Sequence, residues 1–472
     1  MFVRHAATLV AVFLLPSSAW AATLSVGPGK PYAKPCAAIA VAQPGDVIEV
    51  DAAGSYAGDT CAWSTDNLTV RGINGRAKID ATNVAIAQKK GIFVIAAPNA
   101  TVENFELSGA AISMADGNNG AGIRHQGLNL TVRNCFFHDN QNGILGAPST
   151  DNQGTVLIDR SEFAHNGAGD GFSHNMYLNH YASFTLQYSY SHRGNVGHLV
   201  KTRALANFIL YNRITDEAGG TASYEIDVPN AGTTYVIGNL VEQATTTQNP
   251  SILAYGEEGV ANPDAHLFVV NNTFLNDKGS GTFVNVGGAV TVPAVLTNNV
   301  FAGAGTIASQ AAATKTTNFD DSMGIPKFAD AAAFDVHLLS GSPCIDKGSA
   351  PGSNGAQALA PDHEYAHPTS GVARSVVGVA IDIGAYEFGN PADAGVSGGD
   401  GGTSGDSGSD GSISPGDGGV VGANDGGPPN AADGGSSSGC GCATVGAEAD
   451  LLTWSGAPLI VFAMLLRRRR RD

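Results

Sequence analysis

Between Thr23 and Phe388 apolar residues alternate with polar ones over a few positions at a time and then give way to Gly, Asn, Ser or Asp. Alternation at a period of two marks short β-strands with one buried face, and the polar punctuation marks bends between them. Strands of this kind are expected at Gly122-Ile123-Arg124, Asn175-Met176-Tyr177-Leu178, Leu199-Val200-Lys201 and Glu225-Ile226-Asp227. After a bend a further strand follows, as at Leu130-Thr131-Val132 and Phe268-Val269-Val270. No stretch sustains apolar positions at helical spacing with caps, so helical repeats are excluded.

The pattern recurs in one frame. Asn134-Cys135-Phe136-Phe137, Arg160-Ser161-Glu162-Phe163, Tyr211-Asn212-Arg213-Ile214, Gly238-Asn239-Leu240-Val241, Asn271-Asn272-Thr273-Phe274 and Asn298-Asn299-Val300-Phe301 align with one another. Their spacing of about two to three dozen residues is the length of one turn of a parallel β-solenoid. In register, Asn212, Asn239, Asn272 and Asn299 share a column with Cys135 and Ser161 above them. Inward amides stacked at a bend bond from turn to turn and spare each buried group a cost of roughly 1–3 kcal/mol. Two positions on, Phe137, Phe163, Ile214, Val241, Phe274 and Phe301 form an apolar column expected in the core.

Gly45-Asp46-Val47-Ile48-Glu49-Val50 and Leu68-Thr69-Val70-Arg71-Gly72 resemble the opening turns of pectate-lyase-like β-helices. Phe334-Asp335-Val336-His337-Leu338, Ser342-Pro343-Cys344-Ile345-Asp346 and Asp382-Ile383-Gly384-Ala385-Tyr386-Glu387-Phe388 resemble the terminal turn and cap of that superfamily. The resemblance implies an all-β fold, a single-stranded right-handed parallel β-helix over residues 22–388 in roughly ten turns. It does not assign an activity, because the same fold serves lyases, hydrolases, epimerases and adhesins.

The two ends carry targeting signals. Arg4, the apolar run Ala6–Leu15 and the small residues of Ala19-Trp20-Ala21 read as a secretory signal over residues 1–21, cleaved after Ala21. Residues 389–438 are so dominated by Gly, Ser, Asp, Ala and Pro that they cannot bury a core, and they read as a flexible, disordered linker. Residues 439–472 hold Gly439-Cys440-Gly441-Cys442, the apolar stretch Leu451–Leu466 and Arg467–Arg471. The arginine run fixes the terminus on the cytoplasmic side. The apolar stretch is short for a permanent transmembrane helix. This order is similar to the MYXO-CTERM sorting tails of surface proteins. The resemblance implies processing or attachment at Cys440 and Cys442 by sorting machinery at the membrane, leaving the protein on the cell surface, anchored at the outer membrane or released. An ordinary tail anchor is the alternative.

A formal net charge of −17 argues against nucleic acid as a partner. It also requires any site for an anionic polysaccharide to gather its own Lys and Arg, or a bound cation. Cys36 and Cys61, in the first turns of an exported chain, either close a disulfide or remain separate buried thiols. Cys135 and Cys344 lie in apolar repeats and read as core thiols.

Ionisable residues crowd between His174 and Glu258. If Val200 points inward, Lys201 and Arg203 point outward with Leu199; Ile226 inward sends Glu225 and Asp227 outward, and Met176 and Leu178 inward send Tyr177 and Asn179 outward. Asn179, Lys201 and Asp227 would then form one column at about 4.8 Å spacing. A uronate lyase needs a group to neutralise the substrate carboxylate, a base for the proton beside it and an acid for the leaving oxygen. Lys201 and Arg203 are the candidates for base and neutraliser, and Tyr177 or a nearby His for acid, with Asn179, His180, His198 and Tyr255 as sugar contacts. Glu225, Asp227 and Asn179 are the oxygen ligands that a Ca²⁺ ion would require.

This arrangement is similar to the logic of alginate-lyase and chondroitinase β-helices, which pair a Lys and an Arg with a cation. There the two bases stand about one turn apart; here they are two residues apart on one strand, which leaves their roles open. The alternative is an ion-pair ladder worth about 0–1 kcal/mol per pair. Glu225 and Asp227, roughly 6.5–7 Å apart along a strand, would also suit a glycosidase pair. Glu257-Glu258 reads as a polar corner. Three functions stay open: a polysaccharide lyase, a non-catalytic carbohydrate binder, and a structural adhesin. Replacing Cys440 and Cys442 by Ser should leave full-length protein in the membrane fraction, as an immunoblot of fractionated cells would show; a fully processed double variant would clear both cysteines of a role.

Overall fold

The computed structural model describes residues 21–392. The expected signal residues 1–20, most of the linker, Cys440, Cys442 and the apolar tail lie outside the described residues. Among those described, no helix is long and apolar enough to cross a membrane. Ala21 is the first described residue and is exposed; Ala22 already bonds into the fold, its N–H donating to Asp46 Oδ1 at 2.8 Å.

The chain coils into a parallel β-helix. Each full turn contributes one strand to each of three parallel sheets, as Leu68–Ile73, Ala77–Asp80 and Gly91–Ile95 do in an early turn. The first sheet has twelve strands and the second and third have ten each, in agreement with roughly ten turns. Pairing strand to strand satisfies the backbone along the whole stack, while inward side chains from all three sheets fill one continuous core.

Register is held at the bend between the first and second sheets. The N–H and Nδ2 of Asn212 both donate to Oδ1 of Asn239, at 2.9 and 3.0 Å. Asn239 donates in the same way to Asn272, Asn272 to Asn299, and Asn299 to Asn318. Earlier turns use smaller rungs: Cys135 N–H donates to Ser161 Oγ, Ser161 N–H to Ser189 Oγ, and Ser189 N–H to Asn212 Oδ1. The residue before each rung takes the left-handed conformation that the tight bend needs, as Tyr211 (φ 56°), Asn271 (φ 50°) and Asn298 (φ 57°) do.

The apolar column follows as expected, Phe163, Ile214, Val241, Phe274 and Phe301 lying at one register position, but Ser191 interrupts it. Ser191 Oγ accepts from Asn175 Nδ2 and donates to the Leu199 carbonyl, so the polar side chain is satisfied inside the core. Near the first turns, the short helix Pro35–Ile39 buries Ala38 and Ile39, and Cys36 and Cys61 form a disulfide with Cα atoms 5.7 Å apart. Cys135 and Cys344 are buried free thiols, as expected.

The closing stretches do not form the expected end cap. They double back along the outside of the helix: Val336 and Tyr386 pack on Leu240 and Leu275, Leu338, Cys344 and Ile383 pack on Val300, and Leu359 covers Tyr211, Tyr235 and Phe268. The reason is that these strands are apolar on both faces and their outer face needs cover. Fully buried Arg374 ties this segment together by pairing with Glu387 at 3.0 Å and Glu364 at 3.6 Å. Asn390, expected to lie within the linker, is buried and donates to Glu364, so the ordered contacts run on to it.

Asn239→Ala should destabilise the protein by about 1–3 kcal/mol for each buried group left without a partner. The check is a lower urea midpoint at unchanged slope, since the surface exposed on unfolding stays the same.

Candidate functional site on the third sheet

Three consecutive strands of the third sheet, Met176–Leu178, Val200–Thr202 and Ile226–Val228, carry the ionisable stretch. Tyr177 pairs in register with Lys201 and Lys201 with Asp227, so these three form the outward column. Asn179, expected in that column, lies level with Arg203 instead, because Leu178 pairs with Thr202. Two further expectations fail at the bends that precede the strands. Leu199 is buried in the core. Glu225, beside it in the next turn, is fully buried as well. Strict alternation starts only at Val200 and Ile226, and the bend before them turns the preceding side chain inward.

Arg203 is held from three sides. Its Nε donates to Tyr177 Oη at 2.7 Å, Nη1 to Asn230 Oδ1 at 2.5 Å, and Nη2 to Glu258 Oε2 at 2.7 Å. Tyr177 in turn donates to Asn179 Oδ1 at 3.1 Å. Lys201 Nζ lies 3.0 Å from Asp227 Oδ2, 3.3 Å from His198 Nε2 and 3.8 Å from Glu258 Oε1. The His174 and His198 rings stack at 4.4 Å, and His174 Nδ1 accepts the His198 N–H at 3.0 Å. Tyr224 closes the far side, its ring against His198 and its hydroxyl on Glu257 Oε2 at 3.3 Å.

Burial, with the nearby Lys201 and Arg203 charges, holds both His174 and His198 well below the usual histidine range. Both are therefore neutral near neutral pH, and His198 Nε2 stands between the Lys201 ammonium at 3.3 Å and Asp227 Oδ2 at 3.4 Å. Burial raises the Asp227 carboxyl despite the attraction of Lys201. Burial opposes the Arg203 charge, but Tyr177 and Glu258 outweigh it and hold the guanidinium above its usual range. The patch is balanced in charge: Lys201 and Arg203 face Asp227 and Glu258.

Of the expected site residues, Tyr177, Asn179, His198, Lys201, Arg203 and Asp227 come together. Tyr255 does not: it is fully buried, its hydroxyl donating to the Gly232 carbonyl, so it offers nothing to a sugar. His180 lies half-buried one residue beyond Asn179, in the bend that leaves the third sheet. The proposed Ca²⁺ set does not fit, because Glu225 is interior, Asn179 is engaged by Tyr177 and Asp227 by Lys201. Among the described residues no three His, Cys, Asp or Glu are placed to hold a metal ion. For the same reason Glu225 and Asp227 do not form a glycosidase pair across a groove. The expected polar corner is part of the site: Glu258 binds both cations, and Glu257 bridges Tyr224 and Asn285. Adjacency in sequence could not reveal this, since Glu258 reaches Arg203 across two turns.

A second ionisable group, on the outer face of the second sheet, is drawn from the same crowded stretch. Glu217 accepts from Tyr190 and from Arg213 Nη2 at 3.1 Å, lies 2.9 Å from Arg193 Nε, and stands 3.8 Å from His192 Nδ1. Arg213 also packs on Phe334 and meets His367, so this group joins the returning C-terminal segment to the helix. Beside it lie three buried acids. Burial pushes Asp216 up to about 6 and Glu242 up to about 8, and it raises Glu225, with Asp216 and Glu242 adding to the effect.

Geometry of this kind defines the class: a parallel β-helix with a charged cluster on the outward face of one sheet. The chain matches no protein-family model and no curated protein. Among solved structures it is similar to the pectate lyase Pel9A, with a TM-score of 0.53 at 14% identity, over 78% of this chain and 96% of that one. It also aligns with a mutant of the PL6 family alginate lyase AlyGC, with a TM-score of 0.36 at 16% identity, over 66% of this chain and 41% of that one. The first likeness shows the fold, the pectate-lyase type of β-helix.

The buried acids set a pH dependence of stability. Their folded pKa values are raised, so the folded state binds more protons than the unfolded chain between about pH 4 and pH 8. Their contribution is fully present below pH 4 and is lost as pH rises through 6 for Asp216 and 8 for Glu242. Glu217, which burial would raise but hydrogen bonds from His192 and Tyr190 hold down at about 2, acts oppositely and only in stronger acid. Above about pH 6.5, where the depressed His174 and His198 no longer add stability as pH rises, thermal melting should therefore fall towards pH 8, and Glu242→Gln should flatten that slope; an unchanged slope would show that Glu242 does not carry it.

Proposed function

We propose that the protein is an exported, surface-displayed polysaccharide lyase that acts on a uronate polymer by β-elimination, with its site on the outward face of the third sheet. The observation that carries this reading is the Tyr177–Lys201–Asp227 column with Arg203 beside it. Support comes from the β-helix fold shared with a pectate lyase. Export and display rest on the signal residues up to Ala21 and on the Cys440 and Cys442 tail with its sorting machinery.

In this reading Arg203 binds the substrate carboxylate and spreads the charge that develops when the neighbouring proton is removed. Its planar guanidinium can clamp a carboxylate through two parallel bonds. Lys201 takes that proton as a neutral amine, so its own proton must first pass to a group within reach. Asp227 at 3.0 Å and His198 at 3.3 Å are the acceptors. The raised carboxyl of Asp227 lowers the cost of that transfer, whereas the His198 ring, which burial and the nearby cations hold neutral, is the poorer acceptor. Tyr177 returns a proton to the leaving oxygen, releasing its present bond to Asn179. No step uses a bound cation.

A second reading, a carbohydrate binder without turnover, is favoured by the complete pairing of Lys201 and Arg203 in the resting site. Incubating the purified protein with polygalacturonate, alginate, chondroitin and a neutral glycan, while following ultraviolet absorbance of the unsaturated product, separates the two. Lys201→Ala should abolish turnover and, because it leaves the buried Asp227 without its cation, should also lower stability by about 3–5 kcal/mol. Arg203→Lys should weaken binding and rate together. Full activity in both variants would overturn the site, and binding without turnover in the parent protein would establish the second reading.

A further inference from the structure

The receptor for the substrate carboxylate is already filled. Glu258 places one oxygen 2.7 Å from Arg203 Nη2 and the other 3.8 Å from Lys201 Nζ, spanning the two cations as a bound uronate carboxylate would. It is also the outermost member of the cluster, with its side chain 51% exposed against 11% for Lys201 and 15% for Arg203. Any carboxylate approaching from solvent meets Glu258 first.

The loop that carries it is fixed at its base. Asn262, buried, donates to the carbonyls of Arg203, Ala204 and Ala231, and the Glu258 N–H donates to the Pro229 carbonyl at 3.0 Å. Gly256 opens the loop at φ 68°, where a Cβ would come within 2.4 Å of Val290. Glu257 is held separately by Tyr224 and Asn285. What remains free to swing is the Glu258 side chain itself, ending in solvent.

Building on the proposed lyase reading, we infer that Glu258 is an internal stand-in for the substrate carboxylate, which must be exchanged for an acidic sugar before Arg203 is available. The charge of the site requires this. With Glu258 in place the two cations are matched by two carboxylates, and a chain of net charge −17 offers a polyanion no local attraction. Swinging Glu258 aside unmasks one positive charge at the position where the uronate must sit. The exchange trades one carboxylate for another on the same guanidinium, so a neutral glycan cannot drive it. Glu258 therefore acts as a specificity-determining residue that selects for acidic glycans by excluding those that cannot replace it.

The test is calorimetric titration of the full chain, as the parent protein, Glu258→Gln and Glu258→Ala, with tri-galacturonate and with its methyl ester, which has the same shape without the charge. Both substitutions should tighten binding of the acid by roughly five- to tenfold and leave binding of the ester unchanged. Adding Arg203→Met should remove the gain. If the parent protein binds the acid and both variants bind it no more tightly, the stand-in role is overturned and the lyase reading survives. If the ester gains as much as the acid, Glu258 is a steric lid and the inference fails. If neither parent nor variants bind tri-galacturonate or an alginate trimer, the lyase reading itself fails and takes the inference with it.

Discussion

Everything in this molecule depends on turns stacking at one fixed register about 4.8 Å apart. A slip of one residue would send every core side chain to the solvent face. The asparagine column prevents that slip, because each rung donates its backbone N–H and its side-chain Nδ2 to the side-chain Oδ1 of the next rung, as Asn212 does with Asn239 and Asn239 with Asn272. The site inherits this precision. Tyr177, Lys201 and Asp227 come from three different turns, and only a shared register brings them into one column.

The outer faces of the three sheets meet different fates. Where strands of the first and second sheets are apolar outside, the returning C-terminal segment covers them through Leu359, Val336 and Ile383. Where the third sheet carries charge outside, it stays open, and the bends on either side supply His198, Tyr224 and Glu258. Cover is confined to the later strands of the first two sheets, while the cluster on the third keeps its opening to solvent at Glu258. The same economy places the raised acids Asp216, Glu225 and Glu242 near the bends between the second and third sheets, where burial makes their ionisation costly.

The cluster on the third sheet is poised between two uses of the same contacts. Asp227 and Glu258 neutralise Lys201 and Arg203 in the resting protein, which stabilises a partly buried pair of cations. The same carboxylates are the groups a lyase would need to take a proton or to yield a position to substrate. Whether they serve structure or turnover depends on how readily Glu258 gives way, and its exposure separates it from the buried Asp227.

The sequence by itself determined the repeat. Period-two alternation and the recurring Asn-x-φ frame, with φ here an apolar residue, are local and cumulative, so they specified the β-helix, the inward Asn212–Asn299 column and the core positions of Phe163, Ile214 and Phe274. It also placed Lys201, Arg203, Tyr177 and Asp227 on an outward face, because alternation within a strand is strict. Only the tertiary structure decided what happens at bends and across turns. Leu199 and Glu225 turn inward because alternation lapses before the strand begins, and Asn179 moves beside Arg203 because inter-strand register depends on the bend lengths. Tyr255, placed by sequence as a sugar contact, is core because it points to the face opposite the one its neighbours Glu257 and Glu258 serve. Glu258 itself joins the site from 55 residues beyond Arg203, a contact made by coiling and by no local pattern.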